Sequence, residues 1–280
     1  MNKIYNPNTD SRWHRSELAG KDAADFLHRI TTLHIHHMKF GLPKVGCILN
    51  PQGKFEAYFY LTRQTEDHFI FEYDGGPNDL WHNTFLDTIE RFHFAEKFTL
   101  KADAAQDVVW MINPSKNDLE PPYFMHQQGG IHFASFWDNF DLQKKINFKP
   151  EEFELLRLQS ISPKIGKEIT NQVNPLEIGL QFSIDSNKGC YPGQEIIEKI
   201  ISLGSPARRL VLLKAEEIIT EKELDLYDQN QLVGQLTSKQ NCYALGLVRK
   251  TSAKINNNLQ SLSGKKYAIT EISKYENKTI

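Results

Sequence analysis

The sequence contains little cysteine. Cys47, Cys190 and Cys242 are its three cysteines among 280 residues, and no two of them form a CxxC pair. An odd number of widely spaced cysteines does not indicate a disulfide framework. The spacing also argues against a zinc or iron–sulfur site built from the cysteines of one chain, so we expect no resident metal.

The sequence also lacks an excess of charge of either sign and any long hydrophobic run. Its 33 basic and 35 acidic residues give a net charge of −2, which indicates neither nucleic acid nor an anionic membrane as a direct partner. Met1–Trp13 has no apolar core of a signal peptide, and stretches such as Val108–Ile112 are too short to span a bilayer. We therefore expect a cytoplasmic protein without a membrane partner, and we expect it to be a monomer.

Hydrophobic periodicity places helices and strands in the first two thirds of the chain. Apolar residues at helical spacing predict three helices, which begin after Asp22, after Asn78 or Asp79, and at Pro150. We expect the second helix to bury Leu80, Phe85, Ile89 and Phe92. Strands are predicted at Gly46–Leu49, Phe55–Leu61, His68–Tyr73, Phe98–Lys101, Val108–Ile112 and Ile131–Phe136. Turn residues at Asn50–Gly53 join the first two strands, and this mixture predicts an α+β fold rather than a doubly wound parallel sheet.

The pattern changes after about Ser205. Short strands separated by turns follow at Arg209–Lys214, Leu224–Tyr227, Gln231–Ser238 and Tyr243–Arg249. No helix of ordinary length is predicted there, so this part reads as a small β-barrel or sandwich. We expect an α+β region of two lobes at residues 1–205 and a C-terminal β lobe at residues 206–280.

One segment combines rare features: Lys188-Gly189-Cys190-Tyr191-Pro192-Gly193-Gln194-Glu195, the octet. Its two glycines indicate tight backbone geometry, and Pro192 suits the first turn of a following helix. That helix would bury Ile196, Ile197, Ile200 and Ile201. Cys190 would then precede a helix N-terminus with Lys188 nearby, and both features favour the thiolate. The alternative interpretation is an inert cysteine beside glycines that mark only a structural turn.

The octet resembles the K-G-C-[YF]-x-G-Q-E motif of the YgfZ family. That family is similar in fold to the T-protein, the aminomethyltransferase of the glycine cleavage system. Further resemblance to the family is found at Ala23–Thr32, Cys47–Lys54, Leu156–Gln159, Asn174–Glu177 and Gly234–Ser238.

The resemblance implies a ring of three lobes around a central folate pocket, with tetrahydrofolate as the ligand. It also implies a role in the assembly or maintenance of iron–sulfur proteins, including those that modify tRNA, which would be the protein partners. Cys190 would be the functional thiol, with Lys188 and Glu195 beside it. The residues that would contact the ligand are Tyr58, Gln159, Gly189, Tyr191, Gly193, Gln194 and Arg209.

Three motifs depart from the resemblance. A true aminomethyltransferase carries an Asp-Asp pair after the hairpin glycine, where this chain has Ala57 and Tyr58. The family's T-N-D after the first helix is replaced at Thr32 and Leu33, and a pterin-gripping glutamate is replaced by Gln159. A glutamine offers one acceptor and one donor group where a carboxylate accepts two hydrogen bonds. We therefore expect no transferase activity, and any folate binding to be weak.

Other residues allow two interpretations each. His34, His36 and His37 could chelate a metal if the chain is extended there, or could lie in a solvated loop. The aromatic residues Tyr58, Tyr60 and Trp110 could line a pterin slot or belong to the core. Arg208 and Arg209 could pair with a folate tail or a phosphate, or could be ordinary surface charges.

The sequence thus supports three functional hypotheses. The first is a tetrahydrofolate-binding accessory factor of the YgfZ type without transferase activity. The second is a folate-dependent one-carbon or aminomethyl transferase, against which the residues at 57 and 58 argue. The third is a degenerate scaffold that has lost folate, which a central pocket filled by side chains would favour.

Overall fold

The structure is a computed structural model that describes residues 2–9, 11–102, 107–115, 119, 123–128, 130–220, 222 and 224–275. The helices there are α1 Ala23–Ile30, α2 Leu80–Phe92, α3 Phe140–Gln143, α4 Pro150–Gln159 and α5 Gln194–Ser202. The strands are β1 Lys3–Tyr5, β2 Trp13–Ala19, β3 Pro43–Leu49, β4 Phe55–Arg63, β5 His68–Asp74, β6 Thr99–Ala102, β7 Val108–Ile112, β8 Phe124–Gln128, β9 Ile131–Trp137, β10 Arg208–Lys214, β11 Asp225–Asp228, β12 Gln231–Gln240, β13 Tyr243–Arg249, β14 Asn258–Gln260 and β15 Lys266–Ile272. No helix in the described part of the chain has the length and hydropathy that crossing a bilayer requires.

Two open sheets form the first part of the fold. A five-stranded sheet has the order β3-β4-β5-β2-β6, and a four-stranded sheet has the order β1-β7-β9-β8. Side chains on β4 alternate between two layers, as strand geometry requires. Ala57 and Phe59 pack against α1 and α2 on one face, whereas Tyr58 and Tyr60 face the four-stranded sheet.

A closed barrel of order β10-β13-β12-β11-β14-β15 forms the last part of the described chain. Antiparallel pairing of β10 with both β13 and β15 closes it. Its interior is filled by aliphatic residues and Tyr267. The prediction of a small C-terminal β unit is confirmed in its barrel form, and so is the α+β class.

Periodicity predicted most helices correctly, but it predicted burial for one residue, Leu80, that is exposed. Helix α1 buries Ala23, Phe26, Leu27 and Ile30, and α4 begins at Pro150 as predicted. Leu80 was expected in the buried face of α2 but is 62% exposed. It lies about 140° around the helix from Phe85, which is in the core. Five strands were not predicted: β1, β2, β8, β14 and β15.

A buried ion pair joins α4 to the barrel. The guanidinium of Arg157 lies 3.0 Å from a carboxylate oxygen of Glu168, and both residues are 2% exposed or less. The other oxygen of Glu168 accepts hydrogen bonds from the hydroxyls of Thr237 and Ser238 at 2.6 Å each. Arg157 also pairs with Glu154 at 2.6 Å. Two segments that carry the family resemblance therefore meet at one buried carboxylate.

A second buried polar cluster lies between the two open sheets. Glu72 on β5 accepts hydrogen bonds from the Ser135 hydroxyl at 2.8 Å and from the Trp137 indole, both on β9. His126 on β8 lies 3.3 Å from its second oxygen. Burial alone would raise the pKa of Glu72, but the contacts with His126, Trp137 and Ser135 together outweigh it and lower the pKa.

Candidate functional site

The octet lies on the surface between a loop and α5, and its residues differ sharply in burial. Gly189 and Cys190 are exposed, whereas Lys188 and Tyr191 on either side are 8% and 9% exposed. The expected nearness of the octet to the surface is confirmed. Cys190 thus lies exposed between two buried residues, Lys188 and Tyr191. It lines neither of the two cavities described below.

Lys188 is held by the end of α1. Its ammonium group donates hydrogen bonds to the backbone oxygens of His28 and Thr31, the latter at 2.6 Å. These are carbonyls at the C-terminus of a helix, where a positive charge is favourable. Burial lowers the pKa of Lys188 to about 8. Lys188 therefore caps α1, and Cys190 lies close enough to oppose in part the effect of burial on the Lys188 pKa.

Gly193 packs the octet against the turn of the first hairpin. Its φ is +81°, and a Cβ added there would lie 2.5 Å from the backbone oxygen of Asn50. The prediction for Pro192 is wrong, because α5 begins at Gln194 and Gly193 is its N-cap. The tight approach of Gly193 leaves the proline in the preceding turn. Ile197 is buried as expected.

The two octet glycines should respond differently to alanine. Gly193→Ala should lower the free energy of unfolding by about 2–3 kcal/mol, because it adds backbone strain and a clash with Asn50. Gly189→Ala should change it by less than about 0.5 kcal/mol, since a Cβ there meets only the His28 ring at 3.8 Å. Urea denaturation of both variants measures the difference, and equal losses would contradict this account.

The remaining octet residues lie at the start of α5 or in the core. Glu195 is exposed in the first turn of α5, and the Gln194 amide donates to Glu198 at 2.6 Å on the same helix. Tyr191 belongs to the core and lies 5.1 Å below the Lys188 ammonium group. Burial raises the pKa of Tyr191.

Four histidines gather beside the octet. His34, His36 and His37 do not lie on an extended strand, as the metal interpretation required, because Ile35–His37 forms a 3-10 turn. The ring of His28 is 4.7 Å from that of His34 and 4.9 Å from that of His36. Burial and the charge of Lys188 lower the pKa of His28 to about 4. No three side chains of the described residues stand in a metal-ligand arrangement.

A narrow cavity with aromatic walls, the aromatic cavity, lies between the two open sheets. Its volume is about 40 Å³, and it is partly open to solvent. The lining side chains include Tyr5, Trp13, Tyr58, Tyr60, Asp74, Trp110, Phe153, Arg157 and Lys164. Tyr58, Tyr60 and Trp110 therefore line one cavity, as the first of the two sequence interpretations required. All three residues are also part of the core.

Several polar atoms of the aromatic cavity have no hydrogen-bond partner. The Trp110 indole N–H and the hydroxyls of Tyr58 and Tyr60 are buried without a hydrogen bond of ordinary geometry. Burial raises the pKa of both phenols; the contact with Tyr60 opposes this shift at Tyr58, whereas the charge of Tyr58 adds to it at Tyr60. Buried polar atoms without partners cost free energy, so such a group in a cavity is a place where a ligand can bind.

The three positions at which the resemblance implies acids, residues 57, 58 and 159, are not acidic here. Tyr58 faces the aromatic cavity, while Ala57 faces the helical layer on the other side of the sheet. Gln159 is the last residue of α4 and is exposed. The cavity does contain Asp74, which sequence reasoning missed. The sequence did contain a signal for Asp74, because it is a carboxylate at the end of a mostly apolar strand, His68–Asp74.

Arg208 and Arg209 have structural contacts. Arg208 forms an ion pair with Glu177 at 2.8 Å, so it is not simply a surface charge. Arg209 donates to the backbone oxygen of Ser273 and stacks over Tyr275 at 5.6 Å. These contacts place Arg209 away from the residues that line the aromatic cavity.

A wider cleft of about 940 Å³ opens where the four-stranded sheet, the segment before the octet and the barrel meet. Its walls combine aliphatic and polar side chains, and Ser273 and Tyr275 line it on the barrel side. Arg209 contacts both of these residues, through its hydrogen bond to Ser273 and its stacking over Tyr275. Thr32, at one of the positions that depart from the family, is buried nearby and donates to the Ser183 backbone oxygen at 2.6 Å. Leu33 is fully buried in the core.

The aromatic cavity fits the chemistry of a pterin ring but has little room for it. Aromatic walls can stack on a flat ring, and the unpaired hydroxyls and indole N–H can bind its polar edge. A volume of 40 Å³ holds about one or two water molecules. A ring as large as a pteridine therefore enters only if a lining side chain turns away.

No protein-family profile matches the sequence. A putative chloroplastic transferase of Arabidopsis thaliana is 30% identical over 44% of this chain, and an aminomethyltransferase of Halalkalibacterium halodurans is 28% identical over 30% of it. The matched segments span 30% and 23% of those relatives. An uncharacterized protein of Haemophilus influenzae is 23% identical over 80% of this chain and 81% of its own length.

The structural comparison covers nearly the whole chain. The crystal structure of the glycine cleavage system aminomethyltransferase T from Bartonella henselae superposes with a TM-score of 0.78 at 17% identity. The match spans 96% of this chain and 85% of that one. The chain therefore has the aminomethyltransferase T fold, as the resemblance implied.

Proposed function

We propose that this protein is an accessory factor of the YgfZ type that acts through Cys190. It would bind a reduced folate and serve the assembly or maintenance of iron–sulfur proteins, including those that modify tRNA. The observation that carries this proposal is the burial pattern of the octet. Lys188, Tyr191 and Gly193 have structural contacts, whereas the thiol of Cys190 lies exposed between them.

Cys190→Ala should fold normally and lose function. The side chain is exposed, so its loss should change the free energy of unfolding by less than about 0.5 kcal/mol. The measurement is rescue of a strain that lacks this gene, scored by the activity of its iron–sulfur enzymes. Cys242→Ala, at a partly exposed cysteine of the barrel, is the matched control. Full rescue by the Cys190 variant would show that the function does not depend on this thiol.

Folate binding should be measurable and weak. The aromatic cavity must open before a pteridine ring enters, and that opening reduces the affinity. We expect calorimetry with tetrahydrofolate to give a dissociation constant of about 10 µM to 1 mM. Quenching of the fluorescence of Trp13 and Trp110, which line the cavity, should follow the same curve. No binding at millimolar ligand would refute the folate part.

A scaffold that has lost its ligand is the second candidate. The small volume of the aromatic cavity favours it, because aromatic side chains occupy most of the space. Such a protein would still need Cys190 and would show no folate binding. The transferase alternative has less support, since neither Ala57 nor Tyr58 supplies a carboxylate that could serve the folate amine.

A further inference from the structure

Asp74 is a buried carboxylate at the end of β5 that lines the aromatic cavity. It is 8% exposed, and one of its oxygens accepts a hydrogen bond from the Gly76 N–H at 2.8 Å. The Ser11 hydroxyl is a second partner. Burial raises the pKa of Asp74 even though the nearby charges of Lys164 and His14 act in the opposite direction.

The turn after β5 does not by itself require an acid. The contact with Gly76 is that of an Asx turn, in which an asparagine side chain would accept the same hydrogen bond. Burial of a carboxylate costs free energy, and at Asp74 this cost exceeds what Lys164, His14 and the two hydrogen bonds return, because the pKa is still raised. The local fold therefore compensates the negative charge only in part.

Asp74 shares its cavity with groups that suit one kind of ligand. Trp13 and Trp110 supply flat apolar surfaces, and Tyr58 and Tyr60 supply unpaired hydroxyls. The carboxylate can accept two N–H donors that lie side by side. A flat heterocycle with an amino group next to a ring N–H, and with a carbonyl oxygen beyond it, would satisfy all of these groups. The 2-amino-4-oxo-pyrimidine edge of a pterin has this arrangement.

We propose that Asp74 selects the heterocycle of the ligand by accepting hydrogen bonds from its amino-pyrimidinone edge. This inference rests on the proposed folate binding. It accounts for the glutamine at position 159, because Gln159 is exposed and does not line the cavity. The carboxylate that holds the ring lies on β5 instead of at the end of α4.

Asp74→Asn tests the proposal, because it keeps the shape of the side chain and the acceptor for Gly76. The probes are pterin, its 2-oxo analogue lumazine and tetrahydrofolate, and binding is followed by calorimetry and tryptophan quenching. The wild-type protein should prefer pterin to lumazine at least tenfold. The variant should bind pterin and tetrahydrofolate about 10–100-fold less tightly, since one charged hydrogen bond contributes about 1.5–3 kcal/mol, and should lose the preference. Gln159→Ala, the matched control, should leave both affinities unchanged.

The outcomes separate this inference from the proposed function. If the wild-type protein binds tetrahydrofolate and Asp74→Asn binds it equally well, the role of Asp74 is refuted and folate binding stands. Loss of binding in Gln159→Ala but not in Asp74→Asn would have the same meaning. If the wild-type protein binds none of the three probes, both proposals fail. Thermal unfolding of each variant shows that changes in affinity do not reflect loss of structure.

Discussion

Glu168→Ala should lower the free energy of unfolding by about 3–5 kcal/mol. The substitution leaves the guanidinium of Arg157 buried with only its contact to Glu154 and the Ser162 backbone oxygen. It also removes the acceptor for the hydroxyls of Thr237 and Ser238, so the loss falls on both α4 and the barrel. Urea or thermal denaturation measures the effect.

Glu154→Ala is the matched control for this prediction. Glu154 binds the same arginine, but its side chain is 26% exposed. Water can therefore replace part of what is lost, and we expect a cost below about 1 kcal/mol. Equal costs for the two variants would show that the barrel contact of Glu168 contributes little to stability.

Glu72→Ala should have an effect of similar size at neutral pH, again about 3–5 kcal/mol. It leaves His126, Ser135 and Trp137 without their shared acceptor between the two sheets. Glu17→Ala is the matched control. Glu17 lies on β2 of the same sheet and faces His68 at 3.3 Å, but both side chains are about one-third exposed.

The contribution of Glu72 should depend on pH in one direction. The folded protein holds the pKa of Glu72 below its usual 4.5, so the carboxylate stabilises the fold above pH 4.5. That stabilisation is lost as the pH falls through the lowered pKa. The difference between the wild-type protein and Glu72→Ala should therefore shrink below pH 4.5. A difference that stays constant from pH 7 to pH 3 would contradict the assignment.

Local patterns predicted the parts of the fold that depend on local interactions. The helix Ala23–Ile30 and the hairpin around Asn50–Gly53 follow from periodicity and turn residues alone. The strand Lys3–Tyr5 was missed because its pairing partner on β7 is more than 100 residues away. Short strands without alternation are determined by such distant pairing.

The site was less predictable because its chemistry depends on contacts between distant segments. Lys188 was expected to act on Cys190, but its acceptors belong to His28 and Thr31, about 160 positions earlier. Asp74 was missed because only the packing of two sheets places it in the aromatic cavity. The octet itself was correctly expected to lie near the surface, since polar residues precede it.

The pairing of β1 with β7 also has a consequence in time. Residues Lys3–Tyr5 align with Trp110–Ile112. A ribosome that adds about 5–20 residues per second needs about 5–20 s to make the intervening chain. During that interval Ile4 and Tyr5, which are buried in the finished protein, have no strand to pair with. The hairpin of β3 and β4 can form earlier. In the newly made chain the five-stranded sheet should therefore begin to form before the four-stranded sheet, which must wait for β7.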